Sequence, residues 1–194
     1  MTNGVSRLIG LDPTSPATSS KSLAGRAVAT RPLSLEGARV GLVANGLGRT
    51  EALFQAVYAE MAKLVKLDGQ VAVLKPDISM APPPADWQRL TTQATVAITG
   101  FGGCGSCSSR AMRDAMELEW AGVPAVALIH EALEVGVCTL MKLSGMPDYE
   151  FVLVRYPYAP LCDWTDEQIA EVARDVAPKI IDLLTRQAAA TRAA

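Results

Sequence analysis

The apolar run VGLVA at residues 40–44 is followed directly by Asn45-Gly46-Leu47-Gly48 and then by a segment of helical periodicity. A short, continuous apolar run that ends in glycines is typical of a buried strand and its turn. In the following segment Leu53, Val57 and Met61 recur at steps of four, which places them on one face of a helix. This stretch therefore predicts a strand, a turn and a helix.

The same unit recurs along the chain. Further apolar runs lie at residues 71–74, 95–99, 124–129 and 151–154, and a helical pattern follows each of them. Strands that are apolar throughout and alternate with helices indicate a parallel sheet covered on both faces. We predict a three-layer α/β/α sandwich with a mainly parallel sheet of about five strands, Rossmann-like or flavodoxin-like, for which the strand order 2-1-3-4-5 is suitable.

Local signals set the expected helix starts. Thr50, ahead of Glu51, is expected to cap the first helix, and the spacing of Thr165 and Gln168 predicts a capping box at the last one. That last helix carries an apolar face, from Ile169 to Leu184, which is expected to cover the sheet; packing against another protomer, and hence a homo-oligomer, is left open.

Composition sets the class of protein and excludes others. Residues 1–36 contain prolines and a Ser/Thr-rich run, which predicts an irregular N-terminal arm, and residues 37–194 are expected to form a single α/β domain. A net charge of −2 without a basic tract argues against a nucleic-acid partner. No apolar run approaches the ~20 residues of a membrane span, so we expect a cytoplasmic protein with no membrane association.

Ligands of such a sheet bind beyond the carboxyl ends of its strands. This rule selects a set of residues at the predicted strand ends: Asn45 and Gly46, Lys75 and Asp77, Gly102 to Ser109, His130 and Glu131, and Tyr156 to Pro160.

The glycine-rich loop after the third strand carries two cysteines, Cys104 and Cys107, just before a helix. Helix N-terminal amides and the positive end of the helix dipole lower the pKa of a thiol, and the thiolate is the nucleophile. The Cys-x-x-Cys spacing lets the second sulfur resolve a mixed disulfide formed by the first. We therefore predict a reactive thiol site.

Three other interpretations stay open for this loop. The cysteines could be small core residues, they could form half of a zinc site completed by Cys138, Cys162 or His130, or the loop could bind phosphate. The second close pair of ligands that zinc requires is missing, so no metal is predicted. Cys138, within an apolar helix, is expected in the core.

Other polar residues at the same edge are candidates for catalysis or substrate binding. His130, the only histidine, could act as a general base toward Cys104. Asn45 could donate its amide to a carboxylate or oxyanion, and Lys75 and Arg110 could pair with an anionic substrate. The remaining predicted substrate-binding residues supply backbone amides or hydroxyls: Gly46, Gly103, Gly105, Ser106, Ser108 and Ser109.

These residues also carry a resemblance. Cys104-Gly105-Ser106-Cys107 resembles the tetrapeptide of the UGSC family, in which selenocysteine or cysteine occupies the first position. The resemblance spans roughly residues 8 to 160 and includes Leu11-Asp12-Pro13-Thr14, Leu35-Glu36-Gly37, Val40-Gly41-Leu42, Asn45-Gly46, Gly102 to Ser109, Asp114, Glu117-Leu118-Glu119 and Gly122-Val123-Pro124. Members are similar in turn to the selenocysteine-bearing B component of the glycine, sarcosine and betaine reductases. The resemblance implies that Cys104 is the nucleophile and Cys107 the resolving or supporting thiol.

We accordingly expect a thiol-dependent enzyme, an oxidoreductase or a lyase, that acts on a small carboxylate-bearing or otherwise activated substrate. The sequence contains no recognisable flavin or nicotinamide motif, so no cofactor is predicted. A reductive reaction would need an external thiol or a thioredoxin-like reductant. Two alternatives are a cofactor-independent lyase or isomerase that uses a thiolate as base, and a redox-sensing or metal-binding accessory subunit.

Overall fold

A computed structural model describes residues 28–155 and 160–187. Within these ranges five strands alternate with five helices, and two short 3₁₀ turns lie at Glu131–Leu133 and Leu161–Asp163. The strands are β1 (Arg39–Ala44), β2 (Gly69–Leu74), β3 (Val96–Gly100), β4 (Ala125–His130) and β5 (Val152–Val154). The helices are α1 (Thr50–Leu64), α2 (Pro84–Gln93), α3 (Gly105–Trp120), α4 (Glu134–Leu143) and α5 (Asp166–Thr185).

The five strands form one sheet in the order β2-β1-β3-β4-β5, and every neighbouring pair is parallel. Val40 of β1 pairs with Gln70 of β2 and with Val96 of β3. The order reverses between β1 and β3, which places the ligand-binding edge of the sheet at the ends of these two strands. The predicted α/β architecture is confirmed, and the strand order, which the sequence did not fix, is the one considered suitable for it.

Apolar clusters cover the two faces of the sheet. Helices α1 and α5 pack on one face, where Phe54, Met61 and Ile180 are fully buried. Helices α2, α3 and α4 pack on the other face, where Leu90 and Met112 are fully buried. The predicted apolar face of α5 is buried along its whole length. Edge strand β2 is the exception to full coverage, because its Ala72 and Leu74 are exposed.

The two helix starts differ in how they are capped. The capping box of Thr165 and Gln168 is present at the start of α5, as predicted. The prediction that Thr50 caps α1 is wrong, because Thr50 is the first residue of the helix and Arg49 precedes it without a side-chain cap. The Thr50 hydroxyl instead lies 3.0 Å from Asn45 Oδ1 and 3.2 Å from the Phe101 carbonyl, so it joins the loops after β1 and β3.

The described part of the predicted N-terminal arm, residues 28–36, is irregular but attached to the domain. The Ala29 amide donates to Glu119 Oε2 at 2.6 Å, the Arg31 guanidinium pairs with the same carboxylate, and Leu35 is buried in the core. Residues 1–27 of the arm lie outside the described residues. Across the described ranges, every helix is too short or too polar to traverse a bilayer.

Candidate functional site

The two cysteines of the loop lie at the carboxyl end of β3, where the loop enters α3. Cys104 is the residue that caps α3, and its Sγ accepts a hydrogen bond from the Cys107 amide at 3.2 Å. Cys104 and Cys107 form a disulfide with their Cα atoms 5.3 Å apart. The loop thus holds its sulfurs at the positive end of the α3 dipole, where a thiolate is stabilised.

The two sulfurs differ in exposure. Cys104 is half-buried and its Sγ lies 3.5 Å from the exposed Ser106 hydroxyl, whereas Cys107 is 0% exposed. A reagent in solution therefore has access to Cys104 and not to Cys107. This asymmetry is the one that a nucleophile and a resolving thiol require.

The other residues of the loop separate into an exposed rim and a buried support. Gly103, Gly105 and Ser106 are exposed, and the first amides of a helix have no acceptor within it, so these positions can face a ligand. Ser109 is half-buried. The Ser108 hydroxyl is buried and donates to the Gly102 carbonyl at 3.1 Å. Its role in substrate binding stays a prediction, since the structure gives its hydroxyl a partner within the loop.

Asn45 lies against this loop from the end of β1. Its backbone amide donates to the Gly100 carbonyl at 3.2 Å, and the residue is 1% exposed. Neighbouring Gly46 is exposed and has a φ of 80°, a conformation that suits glycine at this turn. The structure thus brings Asn45 and the cysteine loop together, as the strand-end rule predicts.

His130 ends β4 on the same edge. Its ring stacks on the buried Phe101, with centroids 6.3 Å apart, and its Nδ1 accepts the Ala132 amide at 2.9 Å. A neutral imidazole that accepts at Nδ1 carries its proton on Nε2. In this tautomer His130 offers a donor, and the predicted role as base toward Cys104 would need the other tautomer.

Replacing His130 with glutamine is expected to reduce the acid sensitivity of folding. Burial lowers the pKa of His130 below 6.5, against the opposing effect of Glu131, so the unfolded chain binds this proton more readily than the folded one. The stabilisation is complete above the ordinary pKa and is lost as the pH falls from 6.5 toward the folded value. Urea unfolding of both proteins from about pH 7.5 to about pH 5.5 measures it. If the free energy of unfolding depended on pH in the same way for the wild type and His130→Gln, the prediction would be contradicted.

Lys75 and Arg110 do not offer free cations to a substrate, which corrects the prediction that they could. Lys75 Nζ donates to Asp114 Oδ2 at 2.8 Å and to the Met80 carbonyl at 2.9 Å. Arg110 binds Asp114 Oδ1 at 2.8 Å and Glu117 on the next turn of α3. Burial raises the pKa of the Asp114 carboxyl, and Lys75 and Arg110 act in the opposite direction. The network holds the loop after β2 against α3.

The remaining two cysteines form no disulfide. Cys138 on α4 is half-buried, which corrects its predicted place in the core, and Cys162 is exposed. Within residues 28–155 and 160–187, no three His, Cys, Asp or Glu side chains converge as ligands for a metal. Asp77 and Glu131 are exposed, while Asp12, Tyr156 and Tyr158 lie outside the described residues.

A cavity of about 560 Å³ lies at the same end of the sheet, between β5 and α5. Its lining includes Glu131, Glu134, Glu171 and Asp175 against Arg155 and Lys179. The excess of carboxylates disfavours a carboxylate ligand there, and neither Cys104 nor Cys107 borders it.

Comparison with known proteins identifies the chain. The sequence model of the UGSC family matches residues 10–186. The chain belongs to the UGSC family. The family match covers both cysteines of the loop together with Asn45, Asp114 and His130, so the site lies within the region that defines the family.

Two solved structures resemble this UGSC protein at low identity. The flavodoxin-like domain of a Synechococcus protein is 13% identical, with a TM-score of 0.35 over 73% of this chain and 96% of that chain. A diflavin flavoprotein from Nostoc is 16% identical, with a TM-score of 0.39 over 76% of this chain and 96% of that one. No curated protein gives a significant match. The flavodoxin-like fold follows from the strand order and parallel register described above.

Proposed function

We propose that this UGSC protein is a thiol-dependent enzyme in which Cys104 attacks a small, carboxylate-bearing or otherwise activated substrate and Cys107 resolves the product. The observation that carries the proposal is the unequal exposure of two bonded sulfurs at one helix start. Cys104 is accessible and caps α3, while Cys107 is buried one helical turn away. A buried resolving thiol is protected from the substrate but remains within reach of its partner.

In the reductive form of this proposal, the reaction has two steps at one carbon atom. The Cys104 thiolate displaces a leaving group, so that an S–C bond forms and the leaving group departs with the electron pair. The Cys107 thiolate then attacks Cys104 Sγ, the S–S bond forms, and the carbon takes the S–C electron pair and a proton from water. The substrate is reduced by two electrons, the dithiol is oxidised, and an external dithiol restores it.

The surroundings of the pair suit an anionic substrate. The exposed Gly105 and Ser106 are the first residues of α3, where amide donors and the helix dipole favour negative charge. A substrate carboxylate is therefore stabilised beside the Cys104 sulfur. The proposed chemistry uses thiols of this chain and a thiol reductant, with no step assigned to a flavin.

Alkylation of the reduced protein tests the nucleophile and the charge preference together. Iodoacetate carries a carboxylate and iodoacetamide is its neutral counterpart. We expect mass spectrometry to locate the modification on Cys104. The ratio of the alkylation rate with iodoacetate to that with iodoacetamide should be higher at Cys104 than at the exposed Cys162. Cys107→Ser should retain labelling at Cys104, whereas Cys104→Ser should lose at least about 100-fold in the labelling rate of the loop.

Turnover then tests the mechanism. Substrates identified by adduct formation should be consumed only once per protein without dithiothreitol and repeatedly with it. Full turnover by Cys104→Ser would eliminate the proposal. Multiple turnovers without any reductant would favour the non-redox lyase or isomerase in its place.

A further inference from the structure

In the side-chain amide of Asn45, the oxygen is hydrogen-bonded to residues that the structure describes and the nitrogen is not. Its Oδ1 accepts the Leu47 amide at 2.9 Å and lies 3.0 Å from the Thr50 hydroxyl. A backbone N–H can only donate, so it fixes which atom of the side chain is the oxygen. Nδ2 points the other way, is buried, and has no hydrogen-bond partner among residues 28–155 and 160–187.

The position that Nδ2 faces is the one left open by Gly102. A Cβ atom placed on Gly102 would lie 2.8 Å from Asn45 Nδ2, 2.7 Å from Cys107 Cβ and 3.5 Å from Cys107 Sγ. The amide donor and the buried sulfur thus border the same small space. Because only glycine leaves that space free, the donor and the sulfur can approach each other across it.

We infer that Asn45 Nδ2 donates a hydrogen bond to the Cys107 sulfur when that sulfur leaves the disulfide as a thiolate. The inference rests on the part of the proposed function in which the pair cycles between dithiol and disulfide. A disulfide sulfur is a weak acceptor, which leaves the donor without a partner in the oxidised state. A thiolate is a strong, charged acceptor, so the bond forms as the S–S bond breaks.

Reduction of the Cys104–Cys107 disulfide is an ordinary thiol–disulfide exchange. An external thiolate attacks the accessible Cys104 Sγ, a new S–S bond forms between them, and the Cys104–Cys107 bond breaks with its electron pair on Cys107 Sγ. A second external thiolate attacks the mixed disulfide and releases Cys104. The external dithiol is oxidised by two electrons and the protein disulfide is reduced. Exchange is faster when the leaving thiolate is stabilised. Because Cys107 is closed to water, that stabilisation has to come from a donor of the protein.

Burial distinguishes this acceptor from a substrate carboxylate. Nδ2 and Cys107 are both closed to solvent, so a substrate oxygen would have to enter the core to reach the amide. The Cys107 sulfur borders the same space above Gly102 as Nδ2 does. Asn45 is therefore a positioning residue for the resolving sulfur.

The rate of reduction of the oxidised protein by dithiothreitol measures this bond without any substrate. We expect Asn45→Ala to slow reduction at least about tenfold, because a hydrogen bond to a charged group is lost. Asn45→Asp keeps an oxygen for Leu47 and Thr50 but replaces the donor with a negative charge, so it should be slower still. Thr50→Val is the matched control: it perturbs the Oδ1 side of the same amide, and its rate should stay within about twofold of the wild type.

Rates for Asn45→Ala and Asn45→Asp equal to the wild type, or an equal loss in Thr50→Val, would overturn the inference. If the Asn45 variants do not fold, the wild type still tests it by NMR. The Nδ2 proton resonances of Asn45 should move downfield when the disulfide is reduced, and unchanged resonances would contradict the bond. These outcomes are separate from the proposed function, which fails on turnover or labelling of Cys104→Ser.

Discussion

Replacing Asp114 with alanine is expected to lower the free energy of unfolding by about 3–5 kcal/mol, the cost of leaving a buried charge without its partner. The Lys75 and Asp114 side chains are each 1% exposed. Without the carboxylate, the Lys75 ammonium keeps only the Met80 carbonyl among its described hydrogen bonds. Arg110 loses the same partner but retains Glu117. Urea denaturation monitored by far-UV circular dichroism measures the change.

The double variant Asp114→Ala with Lys75→Met supplies the control. It removes both charges and fills the site of Lys75 with an apolar chain, so most of the lost stability should return. The exposed pair of Asp175 and Lys179 on α5 supplies a second comparison, and Asp175→Ala should change stability by no more than about 0.5 kcal/mol. A double variant as unstable as Asp114→Ala would show that packing of Asp114, and not the unpaired charge, causes the loss.

This ion network also connects stability with the candidate site. Lys75 holds the loop after β2 through Met80, and Ser79 of that loop lies 3.4 Å from Ser106, beside Cys104. Asp114 lies on α3, the helix that begins at the cysteine pair. Loosening the network is therefore expected to release a neighbour of Cys104, the proposed nucleophile, as well as a buried charge.

The fold was largely predictable because its signals are local. Short, largely apolar runs that alternate with helical periodicity identify the five strands, and the apolar face of α5 identifies a buried helix. The start of α1 was predicted wrongly because the Thr50 hydroxyl bonds to Asn45 and to the Phe101 carbonyl, and Phe101 is near it only in the folded chain. A cap is a local pattern, and a tertiary partner overrides it.

The site was predictable in part. The cysteine pair at the start of α3 and Asn45 at the end of β1 follow from the strand-end rule. The pairing of Lys75 with Asp114 spans distant positions and left no signal in the spacing. The i, i+4 pairs of Arg110 with Asp114 and Arg113 with Glu117 did leave one, and they could have indicated that these cations are already engaged. The orphaned amide of Asn45 depends on burial, which only the folded structure defines.

Replacing Glu119 with alanine is expected to cost about 3–5 kcal/mol and to release residues 28–31 from the domain. The carboxylate is buried and accepts hydrogen bonds from the Ala29 amide at 2.6 Å, from Arg31 and from the Ala125 amide at 2.8 Å. It therefore joins the N-terminal segment, the end of α3 and the first residue of β4. Denaturation measures the loss of stability, and hydrogen exchange should show faster exchange at Ala29 and Ala125.

Two variants separate the attachment of residues 28–31 from the contribution of Glu119 to the stability of the domain. Arg31→Met removes the ion pair but leaves Glu119 bonded to the Ala125 amide at the start of β4, so exchange should rise in residues 28–31 while Ala125 stays protected. Glu119→Gln keeps the oxygen that accepts from Ala125 and Arg31 but replaces Oε2, the acceptor of the Ala29 amide, with an NH₂ group and removes the charge opposite Arg31. The segment should therefore loosen without the full loss of stability. Unchanged exchange at residues 28–31 in Glu119→Ala would show that other contacts attach this segment to the domain. Since Cys104 caps the start of α3 and Glu119 lies near its end, the same carboxylate fixes the far end of the helix that holds the proposed nucleophile.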